Sequence, residues 1–96
     1  MGKIYTVYGI TGEYSDLEEW AAVSYLNEAD AVRHALLATQ KAQELGIHDE
    51  PMSRNRLPLR ELREVMKELD PNLELQYTGV RYRVDSNLLL EKVPNA

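Results

Sequence analysis

Four carboxylates crowd the segment Gly12-Glu13-Tyr14-Ser15-Asp16-Leu17-Glu18-Glu19. Hard cations need several convergent oxygens, which Glu13, Asp16, Glu18 and Glu19 could supply, but the D-x-[DN]-x-[DN]-G spacing of a calcium loop is missing. The same residues read as a structural turn in which Ser15 or Asp16 bonds nearby backbone N–H groups. They also read as an acidic contact loop, with Tyr14 as its aromatic anchor beside Glu13 and Asp16. Turn and contact loop are compatible, and the expectation is that no metal or cofactor is held here.

Two histidines are the other candidates for chemistry. His34 stands four residues after Asp30, the spacing of an ordinary surface pair on a helix, and His48 lies beside Asp49 in a connection. No G-x-S-x-G, H-E-x-x-H or Gly-rich phosphate loop is present, and the absence of Cys removes thiolate catalysis and disulfides together. Without a convergent constellation the expectation is a protein that is not an enzyme, with a small enzyme subunit as the least favoured alternative.

Charge is distributed unevenly. The chain carries a net charge of −5, which disfavours generic binding to nucleic acid through phosphates. The acids concentrate in the first half. By contrast, Arg54, Arg56, Arg60, Arg63 and Lys67 face only Glu61 and Glu64 within residues 51–67. That stretch is either a basic contact patch for a macromolecular partner or a solvated helix face with local pairing. An acidic half and a basic segment can also meet between copies, so a salt-sensitive homodimer is one expectation.

These residues need elements to position them. Lys3 to Tyr8 is β-branched and aromatic and stops at Gly9, and Trp20 to Leu26 is apolar on both faces, so the two predict a hairpin. Asn27 is a good N-cap, Glu28 and Asp30 put negative charge in the first turn, and Gly46 follows Leu45, which predicts helix one over 28–45. Its apolar stripe is Val32, Ala35, Leu36, Thr39 and Ala42, widened by Ala31, Ala38 and Leu45, so burial of Leu36 against the sheet is expected. Residues 47–57 form a long connection. Pro58 suits a first helical position, and Leu59, Leu62, Val65, Met66 and Leu69 predict helix two over 58–69.

The last quarter alternates twice: Leu73, Leu75 and Tyr77, then Val80, Tyr82 and Val84, separated by Thr78-Gly79. Two hairpin strands are favoured over one strand bulged at Gly79. Asp85-Ser86-Asn87 reads as a turn, with Leu88 to Leu90 as a terminal strand or docked tail. The whole predicts a single α+β domain over 1–96, ββααβ(β), with a mainly antiparallel sheet and two helices on one face. Six tyrosines and no Phe suggest an interaction protein, because Tyr buries its ring while its hydroxyl seeks water or a partner. An RNA-binding module would stack bases on sheet tyrosines beside Arg81 and Arg83, and net charge weighs against it.

Strand Tyr5-Thr6-Val7, the turn Gly12-Glu13-Tyr14-Ser15-Asp16, a second strand and a helix carrying Ala31 and His34 resemble short phage and prophage proteins of unknown function that share a G-E-Y-S-D turn after the first strand. The resemblance spans about the first 40 residues and brings no catalytic residues with it. It implies a small accessory protein of a mobile element. Such a protein would act in the host cytoplasm by binding and blocking a host or phage macromolecule, most simply a protein; anti-defence inhibitors such as anti-CRISPRs are one class. The contact residues it would use are Glu13, Tyr14 and Asp16 of the turn, or Arg54, Arg56, Arg60 and Arg63. No stretch reaches the roughly 20 apolar residues a bilayer demands, so no membrane contact is expected.

Overall fold

The computed structural model describes residues 2–13, 15–48, 57–75 and 78–89. Among these the chain forms strand β1 (Gly2–Thr11), strand β2 (Glu18–Tyr25), helix α1 (Glu28–Glu44), helix α2 (Leu59–Met66) and strand β3 (Val80–Leu89). The sheet order is β2-β1-β3 with both pairs antiparallel, which makes the fold α+β. The first strand is therefore the central one. No helix among the described residues is long and apolar enough to cross a membrane.

The β1–β2 hairpin forms where the β-branched runs predict it, longer at both strands. Val7 pairs with Val23 but Tyr8 pairs with Ala21, so Ala22 is an extra residue in β2. Such a bulge bends and twists the strand. Gly9 pairs with Trp20 on one side and Tyr82 on the other, so these two rings flank a residue with no side chain. A Cβ on Gly9 would stand 2.5 Å from Trp20 Cε2 and Cζ2: the indole lies directly over the backbone, and only glycine leaves room for it.

The last quarter departs from expectation. Residues 73–75 are not a strand, residues 76 and 77 lie outside the described residues, and among the described residues no strand pairs with β3 from the 73–79 segment. A single ten-residue strand instead runs from Val80 through Asp85-Ser86-Asn87, the residues whose types favour a turn. Central β1 offers a backbone edge of equal length, and pairing Tyr5 with Ser86 and Ile4 with Asn87 satisfies both chains. The Asn87 amide also donates to Thr6 Oγ1 at 3.2 Å. Leu73 is fully buried in the core, so its alternation with Leu75 reflects packing rather than a strand face.

Helix α1 begins and ends as its sequence dictates. Asn27 Oδ1 accepts from the Asp30 N–H at 3.2 Å, and Gly46 takes φ +72° just past the C-cap Leu45, a left-handed conformation that suits glycine. The buried face is not the leucine stripe, however. Ala31, His34, Ala38 and Ala42 face inward, while Val32, Leu36 and Leu37 are 43%, 59% and 48% exposed. The reason is distance: alanines let the helix axis settle close to a sheet already carrying Tyr and Trp, which larger side chains would hold away. Helix α2 is shorter than its apolar pattern, with Pro58 as N-cap rather than first helical residue. It buries Leu62 and Met66 with Ala42, Ile47, Leu73 and Val80, and Trp20, Leu45, Leu75 and Tyr82 pack around them.

Candidate functional site

The Gly12–Leu17 turn is built by its own backbone. Gly12 takes φ +87°, and a Cβ there would collide with the Asp16 carbonyl oxygen. Asp16 Oδ1 accepts from the Glu13 N–H at 3.2 Å, which is the structural-turn role. The Gly12 N–H donates to Thr78 Oγ1 at 2.8 Å, and Thr11 Oγ1 donates to the Thr78 and Gly79 carbonyls at 3.1 and 3.2 Å. The turn is thus stitched to the start of β3. Glu13 remains exposed, and Tyr14 lies outside the described residues. Among the described residues no three His, Cys, Asp or Glu side chains converge to hold a metal ion.

The basic set is only partly placed. Arg54 and Arg56 lie outside the described residues. Arg63 is a brace: its Nε donates to the Leu73 carbonyl at 3.0 Å and its guanidinium pairs with Glu74 at 2.8 Å. Lys67 pairs with Glu64 at 2.8 Å, and that bond raises the ammonium pKa above its ordinary value. Arg60 is exposed and remains available for contact. The structure commits Arg63 to holding the 73–74 loop against α2.

Among the described tyrosines of the sheet, Tyr82 and Tyr25 are engaged in internal hydrogen bonds. Tyr82 points into the helix-covered face and donates to Asp70 Oδ2 at 2.8 Å. Tyr25 is paired with His34. Of the described tyrosines, Tyr8 lies on the open face, with the Arg83 guanidinium 5.0 Å from its ring centroid. Arg83 in turn is held by Glu19 through two bonds of 2.6 and 2.8 Å and by Asp85 at 3.0 Å. These carboxylates raise its pKa further and neutralise it locally. Arg81, the other arginine of the RNA-binding reading, donates from Nη1 to the Gly12 carbonyl at 3.4 Å.

A buried polar cluster went unread in the sequence. Asp70, fully buried, accepts from Trp20 Nε1 at 2.9 Å to each oxygen, from Tyr82 and from the Asn72 N–H at 3.3 Å. Burial raises its pKa above the usual carboxylate range, and the Trp20, Tyr82 and Asn72 hydrogen bonds and nearby His34 pull the other way. His34 is not a surface residue: it is 7% exposed. Its Nε2 lies 2.6 Å from the Leu69 carbonyl, which can only accept, so Nε2 carries the proton and Nδ1 accepts from Tyr25 OH at 2.9 Å. The signal available was spacing, since His34 falls three residues after Ala31 and four before Ala38, on the alanine face. Neither Asp70 nor His34 lines an open cleft; both tie the loop after α2 to α1 and the sheet.

What the fold leaves open is the outward face of α1. A shallow groove of about 550 Å³ runs over Glu28, Ala29, Val32, Arg33 and Leu36. It adjoins a cleft of about 390 Å³ lined by Lys3, Tyr5, Glu28, Val32, Val84, Asp85 and Ser86, the two sharing Glu28 and Val32. Leu26, 75% exposed, precedes the helix. No family model, curated protein or solved structure matches the chain.

Proposed function

We propose that this chain is a small non-enzymatic protein-binding protein that acts by covering part of a macromolecular partner, the outward face of α1 being its contact surface. The observation that carries the reading is the inversion of α1: alanines inside, Val32, Leu36 and Leu37 outside. Exposed aliphatic residues that fold stability does not use are what a binding surface requires, and a contiguous set matters more than scattered ones. Among the described residues, Asp70 and His34 are buried and spent on internal hydrogen bonds, which suits contact better than catalysis.

The likeness of the Gly12–Asp16 turn to phage and prophage proteins supports placing this chain among the accessory proteins of a mobile element, working in the host cytoplasm, with anti-defence inhibition as one class of activity. The test is affinity capture of the tagged chain from a host lysate with mass spectrometry, comparing the native protein with Leu36→Glu. The reading expects a protein that the native chain retains and the variant loses, at unchanged circular dichroism. Equal capture by both would remove α1 as the contact surface.

A further inference from the structure

The groove on α1 has an internal symmetry. Glu28 and Arg33 stand at its two margins, and Ala29 and Val32 lie between them on the same face. The midpoint of the charged pair coincides with the midpoint of the apolar pair. If a second α1 lies antiparallel across this face with its two-fold axis at that midpoint, Glu28 of each chain meets Arg33 of the other and Val32 of each meets the other's Ala29. The same operation carries Leu36 to position 25 of the opposite chain, next to the exposed Leu26 just ahead of the helix. A two-fold contact demands this reciprocity, in which residue i meets j and j meets i. Small Ala29 opposite Val32 also permits close approach of the two helices.

We infer that the occupant of the α1 groove is a second copy of this chain, docked antiparallel through Glu28, Ala29, Val32, Arg33 and Leu36. Charge complementarity selects the antiparallel arrangement, since a parallel pairing in register sets Glu28 against Glu28 and Arg33 against Arg33. The inference rests on the reading of this face as a protein-binding surface and names what binds it. In such a dimer the Gly12–Leu17 turn, at the opposite end of β1, and exposed Arg60 are left for any foreign partner, each present twice.

The experiment is sedimentation equilibrium of the full chain from micromolar to millimolar concentration, with Glu28→Arg, Arg33→Glu, the two combined, and Leu36→Glu, each checked by circular dichroism. The native chain is expected to dimerise. Either single reversal should weaken the dimer by about tenfold, because each places two like-charge pairs across the interface. The combined exchange should restore affinity to within about threefold, which a merely structural role for either residue would not produce. Leu36→Glu should abolish association. A monomer at all concentrations overturns the inference. If Leu36→Glu nevertheless loses a foreign protein that the native chain captures from lysate, the surface reading survives with another occupant; if capture is also unaffected, both fail. A dimer that the combined exchange does not rescue overturns the inference as well, by placing its interface elsewhere.

Discussion

Trp20 Nε1 donates to both oxygens of Asp70 at 2.9 Å, across fifty residues of chain, and with the Tyr82 hydroxyl it joins the sheet to the loop that follows α2. The indole reaches Asp70 because it lies flat over Gly9. Three donors aimed at one buried carboxyl would ordinarily favour its charged form, but desolvation outweighs them and holds the folded-state pKa above the usual value.

The sign of the resulting pH dependence follows directly. A carboxyl with a raised folded pKa lets the native state bind more protons than the unfolded one, so its contribution is fully present below the unfolded value and is lost as pH rises through the folded one. The stability advantage of the native chain over Asp70→Asn should therefore be smaller at pH 7 than at pH 3. Denaturant titrations of both proteins across that range check it, since the other carboxylates cancel in the difference. The opposite slope would mean that the hydrogen bonds win.

Gly9→Ala should cost about 1–3 kcal/mol, because the new methyl overlaps the indole, whose displacement would break its bonds to buried Asp70. The chain has one Trp, so intrinsic fluorescence reports the displacement in the same titration that measures the loss.

Helix α1 gives a paired prediction. Leu36→Ala should cost less than about 1 kcal/mol, since the side chain is more than half exposed. Ala38→Leu should cost about 1–3 kcal/mol by forcing bulk between helix and sheet. Chemical denaturation of the two variants reads both, and a reversed order would return the leucine stripe to the core.

Arg63→Ala should destabilise by about 1 kcal/mol, because it leaves the Leu73 carbonyl without its charged donor and Glu74 without its partner. Arg60→Ala should leave the melting temperature within about 2 °C, as exposed positions generally do. Differential scanning calorimetry separates the brace from the free arginine.

Where local chemistry decided the structure, the sequence was legible. Asn27 and Gly46 marked the ends of α1, Gly12 marked a turn that only glycine can make, and Lys3 to Tyr8 marked the strand. Where two local solutions were close in energy, the long-range partner chose. Helix α1 had two apolar stripes, and the sheet took the alanine one because it packs closer. Asp85-Ser86-Asn87 had turn chemistry, and the free edge of β1 drew them into a ladder. The Trp20–Asp70–Tyr82 cluster had no local signature at all, since its members come from β2, the loop after α2 and β3. Of the proposed contact residues, the turn was readable as a turn; Arg63 was not readable as a brace, because its acceptor is a backbone carbonyl ten positions on.

The central position of β1 has a consequence for the order in which this protein can be made. Gly2 pairs with Leu89 and Thr11 with Val80, so β1, synthesised before β2 and both helices, waits for β3, synthesised after them, to complete it. The β1–β2 hairpin and α1 involve near neighbours in sequence and can assemble on a nascent chain, whereas the second edge of β1 stays unpaired until residue 89 has emerged. During that interval the chain presents an open row of backbone donors and acceptors, a template for pairing with other chains. Slowing translation ahead of β3 should therefore lower soluble yield, and any shortened product ending before Val80 carries the same exposed edge permanently.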